Sequence, residues 1–96
     1  MNKIIIVSEK AAREIRKAVE WYDEESIGLG DELIARLEYY YNKIKKYPDS
    51  YKRVNKTVQR CLMKKFPYII FFTSQENKIT ILRVRHAKQK PLKRYR

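Results

Sequence analysis

The sequence is short of the residues that most often carry chemistry. A single cysteine, Cys61, rules out an internal disulfide and fits a reducing compartment. Set in a strand-like pattern, it reads as buried filler rather than as a nucleophile. One histidine, His86, leaves a serine triad without a choice of partner, and one His with one Cys does not make a zinc site. There is no glycine-rich loop to cradle a phosphate, because the chain holds only 2 glycines, Gly28 and Gly30. The N-terminal run Ile4-Ile5-Ile6-Val7 falls far below the ~20 apolar residues that span a bilayer. It is also too short for the apolar core of a signal peptide. These absences predict a cytoplasmic protein with no metal and no cofactor. Acidic residues are scarce in the second half, and those in the first lie at solvent spacing on helices, which speaks against a two-carboxylate glycosidase site.

What the chain does have is positive charge. Of 96 residues, 23 are Lys or Arg and 11 are Asp or Glu, for a net charge of +12. Residues 1–50 carry 9 Lys/Arg and 10 Asp/Glu, a net of −1, whereas residues 51–96 carry 14 and 1, a net of +13. So one-sided a half repels itself, and it calls for a neutralising partner, either nucleic acid or an acidic protein. With 44% hydrophobic residues the chain can still fold, and its length is that of one domain, 1–96, with a modest core.

Taken in order, Lys3 to Val7 predicts a short strand. Ser8 predicts an N-cap with Glu9 behind it, opening a helix to about Glu25 with Ala11, Ala12, Ile15, Ala18, Val19 and Tyr22 on its apolar face. The two glycines predict a tight turn, after which Asp31 is the expected cap of a second helix. There Leu33, Leu37, Tyr40, Ile44 and Tyr47 form the stripe, and Pro48 ends it. Such helices pack as an antiparallel hairpin. Tyr39, Tyr40 and Tyr41 in a row cannot all face inward. A short strand is expected near Arg53–Lys56, and a central hairpin from Val58–Lys65 and Tyr68–Ser74 around Pro67. A last long strand runs from Lys78 to His86, marked by Ile79, Ile81, Leu82 and Val84.

The hairpin and the last strand bring cations together. Residues two apart on a strand share a face, so Arg60 pairs with Lys64 and Arg83 with Arg85. If the two faces coincide, four cations line one patch with His86 and Tyr95 near its edge. Such a patch suits a phosphodiester. It also suits metal-free RNA cleavage, with His86 as base, Tyr95 as acid or stacking group, and cations holding the developing charge.

Read together, Glu20-Trp21-Tyr22-Asp23, Gly28-Leu29-Gly30-Asp31-Glu32-Leu33, Tyr47-Pro48, Arg60-Cys61-Leu62-Met63-Lys64-Lys65-Phe66-Pro67-Tyr68 and Val84-Arg85-His86 with Pro91 resemble the RelE/ParE toxin superfamily. The ParE-like branch, that of the plasmid stabilisation proteins, is the closest. The resemblance implies an α+β fold in β-α-α-β-β-β order, with a helical hairpin packed on a small antiparallel sheet. It implies the toxin of a type II toxin–antitoxin pair, held silent by a cognate antitoxin whose acidic segment wraps it, as a dimer or a heterotetramer with that antitoxin. An apolar groove of the helix hairpin would take part in the contact. Two targets divide the superfamily. ParE-like members bind DNA gyrase, for which Lys64, Lys88, Lys90, Lys93, Arg94 and Arg96 are the expected contacts, shared with the antitoxin. RelE-like members cut ribosome-bound mRNA, for which Arg60, Arg83, Arg85, His86 and Tyr95 are the expected catalytic set. The branch usually carries Arg where Gln59 and Gln89 stand here, and those two losses of charge leave a weakened or inactive relative as a further alternative. Trp21, Tyr22, Phe66 and Tyr68 are expected as an aromatic plug between helices and sheet.

Overall fold

In a computed structural model that describes residues 3–88, seven elements follow one another. They are β1 (Ile4–Val7), α1 (Glu9–Glu25), α2 (Leu29–Lys46), a single 3-10 turn (Pro48–Ser50), β2 (Gln59–Leu62), β3 (Tyr68–Ser74) and β4 (Lys78–His86). The strands form one sheet in the order β1-β4-β3-β2. β2, β3 and β4 are antiparallel, as expected, and β1 adds to β4 in parallel.

Local chemistry sets the boundaries of the helices. Ser8 caps α1, its hydroxyl accepting from the Ala11 N–H at 3.1 Å. The same hydroxyl donates to the Leu82 carbonyl at 2.9 Å, so one side chain starts the helix and fastens it to β4. The expected Asp31 cap is not formed. α2 begins three residues earlier, and its N-cap is Gly28 at φ +89°, left-handed backbone that glycine adopts without a Cβ clash. Asp31 lies in the first turn, where its charge still favours the helix's positive end. The Gly30 N–H is held by the Asp23 carboxylate of α1 at 2.8 Å. Gly30 has a second job at the helix crossing, since a Cβ there would stand 2.7 Å from Val19 Cγ1.

Both helices cover one face of the sheet. Ala11 and Ala18 of α1 and Leu33, Leu37, Tyr40 and Ile44 of α2 bury against Cys61, Ile70, Phe72, Ile79, Ile81 and Val84. Tyr22 and Phe66 meet edge to face at 5.1 Å and form the plug, but Trp21 does not belong to it, because it is 56% exposed. Of the three consecutive tyrosines Tyr39 is the exposed one, under the Arg36 guanidinium at 4.6 Å. Tyr40 is buried and its hydroxyl accepts from the Lys64 N–H at 3.0 Å.

Two strand expectations shorten. Near Arg53 there is a single bridge, Arg53 to Gln59, rather than a strand. β2 stops at Leu62 because Met63 to Lys65 is spent on the turn that Phe66-Pro67 completes, closed by Met63 N–H to the Tyr68 carbonyl at 2.9 Å.

Candidate functional site

The decisive irregularity lies in β4. Across β3 the partners run Ile69–Arg85, Ile70–Val84 and Phe71–Arg83, then Phe72–Ile81, so Leu82 is an extra residue, a β-bulge. A one-residue slip exchanges the two faces of a strand. Ile79 and Ile81 point into the core, so unbroken alternation would bury Arg83 and Arg85 beside them. The bulge turns Val84 into the core and sets the two arginines on the other face of the strand. Register then completes the face. Arg60 of β2 lies opposite Phe71, which lies opposite Arg83, and Leu62, Ile69 and Arg85 form the next row. Paired residues share a face, so Arg60, Arg83 and Arg85 start from the side of the sheet opposite the core, although the Arg83 guanidinium is held by Glu14 of α1. No described helix covers that side.

The grouping is not the one expected throughout. Lys64 does not share a strand face with Arg60, because it sits in the turn after β2, exposed. His86 does not share the face of Arg85 either. It pairs with Tyr68 in the row beyond Ile70–Val84, on the helix side, where the two rings meet edge to face at 5.2 Å. There His86, Tyr68, Val84, Glu14 and Lys17 line a depression of about 190 Å³. The His86 Nδ1 accepts from the Lys88 N–H at 3.1 Å, which assigns the ring proton of the neutral tautomer to Nε2. Burial, with Tyr22 alongside, pushes the Tyr68 phenol up to about 12. Tyr95, Lys90, Lys93, Arg94, Arg96 and Gln89 lie outside the described residues.

Sequence reasoning missed Glu14. Its carboxylate accepts from Arg83 Nε at 2.9 Å and from the terminal guanidinium nitrogen at 2.6 Å through one oxygen. The other takes the Val84 N–H at 2.8 Å. Both side chains are mostly buried, at 17% and 22% exposure. β1 ends at Val7, and Glu14 carries the β4 edge onward where that strand stops. The signal was present, since Glu14 lies between Ala11 and Ala18 on the apolar face of α1, where a carboxylate needs a partner.

Gln59 takes no part in the basic face. It is 2% exposed on the helix side, and its amide donates to the carbonyls of Pro48 at 2.6 Å and Tyr51 at 3.1 Å. Glutamine here ties the α2–β2 connection to the core. Cys61 is buried too, and desolvation pushes its thiol up to about 11, so it is no thiolate nucleophile at neutral pH. On the far side of α2, Tyr39, Asn42, Lys43, Lys46 and Tyr47 line a depression of about 270 Å³.

Fold and site thus define a small α+β protein with a helix-covered sheet face and an opposite face edged by arginines. The sequence matches the family described as ParE toxin of type II toxin–antitoxin system, parDE, over residues 5–91, and the chain belongs to that family. Among solved structures it is similar to a chain of the chromosomal ParDE toxin–antitoxin system from P. aeruginosa. The TM-score is 0.77 at 13% identity, over 90% of this chain and 97% of that one, a likeness of fold. No curated protein sequence matches it.

Proposed function

We propose that the protein arrests growth by binding DNA gyrase and that a cognate antitoxin neutralises it. The observation that carries this reading is the family match over residues 5–91, which takes in every described element from Ile5 onward. The charge supports it. A chain of net +12 with cations clustered in its C-terminal half attracts acidic protein surfaces and speeds encounter with them.

The ribonuclease reading finds less support in the geometry. It needs His86 beside the cations that would hold a phosphorane, but Arg60 and Arg85 lie on the opposite face from His86, and the charge of Arg83 is balanced by Glu14.

Induced expression in a bacterial host tests the proposal. The expected result is growth arrest, loss of negative supercoiling in a reporter plasmid and full-length reporter mRNA, with growth restored by co-expressing the adjacent reading frame. Arrest with cleaved mRNA and unchanged plasmid topology would refute the gyrase target. Unimpeded growth would refute the toxin activity.

A further inference from the structure

Charge is divided along the helical hairpin as well as between the halves of the chain. Around the α1–α2 turn, residues 20–32 hold Glu20, Asp23, Glu24, Glu25, Asp31 and Glu32, and no Lys or Arg. The 18 residues of α2 then lead to the opposite sign, across a span of about 27 Å at the helical rise. Residues 43–56 hold Lys43, Lys45, Lys46, Lys52, Arg53 and Lys56 against Asp49 alone. The helix dipole favours the three lysines in the last turn of α2, but Lys52, Arg53 and Lys56 lie beyond its reach. A bonded loop along the β2 edge carries them. The Arg60 N–H donates to the Lys52 carbonyl at 2.9 Å, and the Arg53 guanidinium donates to the Lys56 carbonyl at 3.1 Å. The Asn55 side-chain oxygen accepts from the N–H groups of Thr57 and Val58, each at 2.9 Å. Lys43, Lys46, Lys52, Arg53 and Lys56 are exposed, and among the described residues none of them forms an ion pair.

We infer that this end of the molecule, from the last turn of α2 to the loop along β2, binds the phosphate backbone of duplex DNA. Lysine is depleted at contacts between proteins, whereas it is a regular ligand of phosphate, as is the tyrosine hydroxyl. Tyr39 and Tyr47, 44% and 58% exposed, border the same surface together with Asn42. A single strand would be held by stacking bases on such rings. Here Arg36 stands over the Tyr39 ring at 4.6 Å and Lys46 over the Tyr47 ring at 5.9 Å. Cations that already occupy these rings favour contact with the backbone over stacking. The inference does not depend on gyrase being the target.

The test is binding of the full chain to a short labelled duplex of arbitrary sequence, read by fluorescence anisotropy. Affinity falls as salt rises, with a log–log slope of about −3 or steeper. Lys46→Glu, Lys52→Glu and Lys56→Glu together weaken binding at least tenfold. Lys10→Glu, Arg13→Glu and Arg16→Glu, an equal change of net charge on α1, weaken it less than threefold. Should the first variant misfold, amide shifts of the wild type on adding the duplex decide, and residues 43–56 are the ones expected to move. Equal losses in the two variants, or shifts confined to other residues, would overturn the site. Tighter binding of the unpaired strand would overturn the duplex as ligand. Displacement by polyglutamate as complete as by unlabelled duplex would overturn DNA in favour of an acidic protein.

Discussion

Glu14 shows how much one side chain holds. It balances Arg83 and occupies the Val84 N–H, and Glu14→Ala removes the ion pair and the bond together. Charge-assisted bonds of this kind contribute about 1.5–3 kcal/mol, so urea denaturation should show a loss of about 2 kcal/mol. Gly30→Ala sets helix propensity against space. Alanine gains up to about 1 kcal/mol over glycine in a helix interior and less in the first turn, where Gly30 lies, but its Cβ would stand 2.8 Å from Asp23 Oδ2 and 2.7 Å from Val19 Cγ1. The clash also displaces the carboxylate that holds the Gly30 N–H. Overpacking costs about 1–3 kcal/mol, and thermal melting should show net destabilisation. Cys61 sets a limit at alkaline pH. Its folded pKa, about 11, lies above the ordinary 9.0, so the thiol's contribution is whole below pH 9.0 and is lost as pH rises through about 11. Melting temperature should therefore be flat through neutrality and fall above pH 9.0, less steeply in Cys61→Ala.

Among the elements, helices were the easiest to read ahead of structure. Ala11, Ile15, Ala18 and Tyr22, then Leu33, Leu37, Tyr40 and Ile44, recur at the helical period because one stripe of each helix meets the sheet. Strand ends were harder. Phe66-Pro67 takes three residues of the expected β2 for its turn, and nothing in Met63-Lys64-Lys65 distinguishes strand from turn. The bulge was legible in principle. Ile79 and Ile81 are odd-numbered and Val84 even, a change of parity that demands an extra residue between them. The bulge puts His86 on the helix side, but its separation from Arg85 needs no bulge, because adjacent strand residues point to opposite faces. Ser8 joins α1 to the bulge through its cap and through its bond to the Leu82 carbonyl. Ser8→Ala should cost about 1–2 kcal/mol in equilibrium denaturation, more than the loss of a cap alone.

For the molecule as a whole, the division of charge matters more than its sum. The half-chain with net +13 builds β2, β3 and β4, and the bulge turns two of its arginines to the side where Arg60 stands. Fold and function separate at such a surface. Arg60 is half-exposed on β2, so Arg60→Ala should change stability by no more than about 0.5 kcal/mol in a thermal melt. Supercoiling by purified gyrase, titrated with this protein while a parallel translation reaction reports mRNA length, is the most direct test of the target. The account predicts that supercoiling is lost as protein is added and that the mRNA remains full length. Undiminished supercoiling beside cleaved mRNA would contradict it.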